Sequence, residues 1–166
     1  MASRVLVALR VTATPQRAFA AFTDEIGDWW RPNALFQLTR AQPGRMAFDP
    51  GPNGRLVERQ ADGDEYEVGR ITLWDPPTQL AFEWRPASFA ADQVTEVHVR
   101  FEPAGDQTRV VVEHTGWDTI APKHAARHGF PLQAFLLREA EWWQTLLQSL
   151  AFQVGSRHAR GAESYK

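Results

Sequence analysis

The sequence predicts an α+β fold in which a curved antiparallel sheet of about seven strands wraps around one long C-terminal helix, with two short helices after the first strand. Three observations carry this. Pro131 to about Val154 repeats its apolar residues at helical spacing. Between residues 44 and 115, strand-length segments follow one another with Gly, Pro and Asp turns between them. Ahead of them, an opening strand leads into two short helical patterns.

Arg4 to Thr12 is rich in Val and Leu and reads as the first strand. Thr14 before Pro15 has the chemistry of an N-cap followed by proline at the first helical position, and Ala18, Phe19 and Phe22 supply the apolar face of that helix. A further helical turn from Asp24 to Trp30 stops at Arg31-Pro32, because the residue before a proline is pushed out of helical geometry. The strands that follow are Gly44 to Asp49, Arg55 to Gln60, Glu65 to Trp74, Thr78 to Arg85, Gln93 to Glu102 and Gln107 to Thr115. Short turns join most of them, including the Asp62-Gly63 hairpin signature, so the sheet is expected to be antiparallel. Period-two alternation then predicts the buried face: Leu80, Phe82 and Trp84; Val97, Val99 and Phe101; Val110, Val112 and His114.

The long helix puts Leu132, Phe135, Leu136, Trp143, Leu146, Leu147, Leu150 and Val154 on one arc, with Arg138, Glu141, Gln144 and Gln148 outside it. Glu139 breaks the pattern. It lies near the middle of the arc, where a carboxyl group needs a partner, a proton or water. The expectation is that it points into a cavity between helix and sheet, near the mouth. Residues 1–154 read as one domain and 155–166 as a frayed C-terminal tail.

The 166 residues, 43% of them hydrophobic, suffice for one substantial core. Basic and acidic residues, 18 and 20, are mixed along the chain, which argues against a nucleic-acid partner. With no cysteine there is no disulfide, thiolate nucleophile or cysteine metal site. The N-terminus lacks the apolar run of a signal peptide, and no stretch reaches the roughly 18 apolar residues of a membrane span, so a cytoplasmic location is expected. Seven Trp and ten Phe supply large rigid surfaces suited to a core or a cavity wall.

WDPPTQLAFEW at Trp74 to Trp84, TEVHVRFEPAGDQTRVVVEHTGW at Thr95 to Trp117, GRLVERQADGDEYEVGRI and EWWQTLLQSLA together resemble the START-like, Bet-v-like SRPBCC superfamily. Within it the likeness is to bacterial proteins similar to the C-terminal domain of the activator of the heat-shock-protein-90 ATPase. The likeness spans roughly residues 4 to 154 and implies a helix-grip fold with a cavity between sheet and long helix. It also implies binding of lipids, hormones or polyketides, cyclisation chemistry in a minority of members, and a chaperone as one partner class. The expected partner is therefore an apolar or amphipathic small molecule, with no cofactor and no metal; a homodimer and a chaperone contact stay open.

Expected cavity residues are Trp30, Phe82, Trp84, Val97 and Val112, with Phe135, Trp142 and Trp143 from the helices and loops around them. His114 either presents its imidazole to the cavity as an acid or base, or is a strand-end histidine bonded to backbone or solvent. For Glu58 the choice is between the cavity and a cross-strand ion pair with Arg59, Arg70 or Arg85, and the ion pair is favoured. Glu139 either binds a polar ligand group, acts as a base, or sits hydrated at the mouth. An enzyme reading would use His114 with Glu139 or Glu58. His124 and His128 are four apart, but HAARH lacks the glutamate of a zinc-protease motif.

Overall fold

Seven strands form one antiparallel sheet in the order β1-β7-β6-β5-β4-β3-β2, so six sequential strands meander and the first returns to pair with the last. The computed structural model describes residues 4–39 and 41–163, with side chains described as far as Gly155. The strands are β1 (Arg4–Val11), β2 (Arg45–Asp49), β3 (Arg55–Arg59), β4 (Glu65–Asp75), β5 (Gln79–Trp84), β6 (Thr95–Ala104) and β7 (Gln107–Thr115). Helices α1 (Pro15–Asp24) and α2 (Ile26–Trp29) lie between β1 and β2, and α3 (Leu132–Glu163) closes the fold. Thr14 caps α1 as expected, its side chain accepting from the Arg17 amide at 3.2 Å.

Register delivers the core. Val5 pairs with His114, His114 with Val97, Val97 with Phe82 and Phe82 with Ile71, which makes one row across five strands. Val7, Val112, Val99 and Leu80 make the next row. Every position that alternation assigned to the buried face is buried. Irregular pairing near Leu56/Val57 and Ile71/Leu73 interrupts the ladders of β4 with both its neighbours, the kind of bulge that bends a sheet. Gly69 in β4 lies tight against β5: a Cβ there would stand 1.8 Å from the Glu83 carbonyl oxygen, so only glycine fits.

Helix α3 lies across this face, with Phe135, Trp143, Leu146, Leu147 and Leu150 fully buried and Val154 nearly so. Each such side chain stabilises the fold by roughly 1.5–3 kcal/mol relative to exposure. Helix α1 plugs one end of the sheet, with Phe19 and Phe22 at 5.2 and 5.8 Å from the Phe101 ring. One boundary differs from expectation. The helix continues past Val154 to Glu163, where a frayed tail was expected. The apolar pattern marks where the helix touches the sheet, and no proline stops the backbone beyond that point.

Candidate ligand cavity

The cavity is built mainly from loops at one end of the sheet. Its volume is about 510 Å³, and its walls come from residues 34–39, from Trp84 and the Pro86–Ser88 segment after β5, and from Trp117, Ala125, Ala126 and His128 after β7. Backbone hydrogen bonds hold these loops in place. The Asn33 side chain accepts from the Leu35 amide at 2.8 Å, and the Ala87 amide donates to the Leu38 carbonyl at 2.7 Å. Gly116 turns the chain out of β7 with a φ of 103°, a left-handed conformation suited to glycine. The His124 ring accepts from the Ala126 amide at 3.0 Å, and the His128 ring bonds to the Leu35 carbonyl, so both loop histidines tie down the cavity wall.

Arg127 stands behind this wall, 1% exposed. Its guanidinium donates to the carbonyls of Ile120 at 2.7 Å and Phe130 at 2.8 Å and lies 5.1 Å from the Phe135 ring centroid. Sequence reasoning missed this residue because a polar loop is ordinarily exposed. The fold uses the arginine as a buried clamp that satisfies carbonyls of an irregular segment.

Deeper than the cavity lies a polar cluster. His114 is fully buried, and its Nε2 is 2.9 Å from Thr95 Oγ1, whose own proton goes to the Trp84 carbonyl at 2.8 Å. The imidazole therefore donates from Nε2, and in that tautomer Nδ1 accepts from Trp143 Nε1–H at 3.3 Å. Glu139, also fully buried, places Oε1 at 3.2 Å from the same Nδ1. This contact is close without being an aligned hydrogen bond, and neither carboxyl oxygen has a hydrogen-bond partner among the described residues. Two acceptors face each other there, and the contact is attractive only with a proton between them.

The expected sites are rearranged accordingly. Helical spacing correctly puts Glu139 on the inward arc, but the carboxyl is sealed in the core instead of lying at a wet mouth. The Trp84 and Trp117 rings, 5.8 and 5.4 Å from the His114 ring, belong to the cavity wall and stand beside the polar cluster. Trp84 lines the main cavity, whereas Trp30, Trp142 and Glu58 line a smaller adjoining cleft. Phe82, Val97, Val112, Phe135 and Trp143 are packed in the core and line neither. The ion pair favoured for Glu58 does not form among the described residues. Its Oε1 accepts from Gln60 Nε2 at 2.7 Å and from Thr39 Oγ1 at 3.4 Å. Arg59 binds Glu65 and Asp49 instead, and Arg85 donates to the carbonyls of Ala91 and Gln93.

Among the described residues no helix is long and apolar enough to cross a membrane. The family model described as Activator of Hsp90 ATPase homolog 1-like protein matches residues 12–155. Among solved structures, the fold is similar to CalC, a self-sacrificing resistance protein from Micromonospora echinospora, with a TM-score of 0.62 and 27% identity over 93% of this chain and 95% of that one. It is similar to the anthrahydroquino-gamma-pyrone synthase Txn09 complexed with SUM, at 0.53 and 28% over 88% and 96%. PFC0360w, an HSP90 activator from Plasmodium falciparum, shares the fold at 0.60 and 18% identity over 92% and 96%. A search of curated proteins found no match.

Proposed function

The chain belongs to the Activator of Hsp90 ATPase homolog 1-like family, in the SRPBCC superfamily, and on that premise we propose that it binds a flat apolar or amphipathic small molecule in the loop-walled cavity. The observation that carries this reading is the cavity itself. Its volume of about 510 Å³ suits a molecule of a few fused rings, and its walls include Phe36, with the almost fully buried Trp84 and Trp117 behind it. Gln37, Thr39, Ser88 and His128 add a few polar groups to orient it. Two of the related structures are a resistance protein and a synthase of an anthrahydroquino-gamma-pyrone, so fused-ring quinones and pyrones are the first class to try.

Binding is favoured over turnover because neither His114 nor Glu139 lines the cavity. A cyclase- or hydratase-like reaction through that pair would require Trp84 or Trp117 to move aside first. A chaperone-directed role draws support from the shared fold of the HSP90 activator alone.

Calorimetry with anthraquinones, naphthoquinones and fatty acids tests the proposal. The expected result is a dissociation constant in the low-micromolar range or weaker for the fused-ring compounds, since each aromatic ring buried contributes about 1.5–3 kcal/mol. Ala126→Phe, which fills part of the cavity, should weaken that binding by about tenfold or more without lowering the melting temperature. No heat, no tryptophan emission change and no thermal shift across the panel would reject the proposal.

A further inference from the structure

We propose that Glu58 and the aromatic rings around it form a subsite for a primary ammonium group at the edge of the ligand cavity. The inference rests on the reading that the cavity holds a small molecule, and it adds a chemical class: the ligand carries a protonated amine on a short arm.

Glu58 is 6% exposed and lines a cleft whose walls include Trp30, Phe36 and Trp142. Among the described residues its carboxylate has only neutral partners, Gln60 and Thr39, both on Oε1, and Oε2 accepts no hydrogen bond. No ion-pair partner for it is found among them either: Arg55, Arg59 and Arg85 are held elsewhere, and Arg70 is exposed. Oε2 is not among the sealed polar atoms of the core, so it is free to accept charge-assisted hydrogen bonds from a cation in the cleft.

The surrounding rings favour the same ligand. Phe36 and Trp142 stack at 5.1 Å with 11° between their planes, and Trp30 meets Trp142 edge-on at 5.4 Å. A ring of this cluster whose outer face is turned to the cleft would attract an ammonium through its quadrupole. Size narrows the choice. The cleft, about 20 Å³ against about 510 Å³ for the main cavity, suits a small group such as a primary ammonium better than a ring. Its position links it to the larger site, because Phe36, Gln37, Leu38 and Thr39 line both spaces. An aromatic body in the cavity would reach Glu58 with a short amine arm.

The experiment compares two probes of the same shape, an aminoethylamino-anthraquinone and its hydroxyethylamino counterpart, by calorimetry at neutral pH. The unmodified protein should bind the amine about tenfold or more tightly than the alcohol, the range expected for a charge-assisted hydrogen bond in a partly buried site. Glu58→Gln should abolish that preference while leaving the alcohol's affinity within about twofold. Glu58→Asp, which draws the carboxylate back by one methylene, should lose most of it and serves as the second variant if the glutamine protein folds poorly. Equal affinity for both probes in the unmodified protein overturns the subsite while leaving the cavity reading intact, and so does a preference that survives Glu58→Gln. If neither probe binds, the cavity reading fails and the subsite fails with it.

Discussion

At the scale of single residues, the chain places its chemistry against its own stability. Glu139 occupies the centre of an apolar helix face and finds only a misaligned contact with His114 in return. Burying a carboxyl group in this way costs several kcal/mol unless hydrogen bonds repay it. Glu139→Gln keeps the shape and replaces the carboxyl by an amide that can donate toward His114 Nδ1, so the variant should unfold in urea at a free energy equal to the parent's or up to about 1 kcal/mol higher. A loss above about 2 kcal/mol would mean that the carboxyl is a structural partner of His114. Glu65 presents the opposite case at the surface. Hydrogen bonds from Arg59 and then Arg55 hold its carboxyl below the usual carboxylate range. A pKa lower in the folded than in the unfolded state means that its contribution is present above the unfolded value and is lost as pH falls through the folded one. Melting curves of Glu65→Gln and the parent should therefore separate above about pH 5 and converge in stronger acid. Curves that stay parallel across the acid range would contradict this assignment.

At the scale of elements, α3 is the part whose removal the fold cannot absorb. Leu146 is fully buried in the middle of the helix face, and Leu146→Ala should cost about 2–5 kcal/mol, read from the shift of the denaturation midpoint at constant slope. A loss below about 0.5 kcal/mol would place the buried face elsewhere on the helix. The strands and helices were legible in the sequence because each has a periodic reason to be where it is. Thr14-Pro15, Asp62-Gly63 and the alternation of Val97, Val99 and Phe101 are local signals, readable without knowing any neighbour. Loops carry no such periodicity, and the segments 34–39 and 117–130 gave no advance sign that they would close a cavity.

At the scale of the whole molecule, the fold separates a packed aromatic core from a cavity hung on loops at its end. A ligand that binds only the folded protein should raise its stability by about 2.7 kcal/mol when present at about a hundred times its dissociation constant. A rise in melting temperature with ligand concentration, absent in Ala126→Phe, is the corresponding thermal measurement. The amino-acid order alone determined the strand and helix succession, the inward face of the sheet and the inward placing of Glu139, because periods of two and 3.6 residues translate directly into direction. It could not determine what those inward side chains meet. Whether Glu139 faces water or His114, and whether Glu58 finds an arginine or only Gln60 and Thr39, depends on groups 25, 2 and 19 residues away in sequence being brought within 3.4 Å. The cavity was hidden for the same reason. It is made by loops whose distance from one another is set by how the sheet bends and where α3 crosses it, and only the tertiary structure decides that.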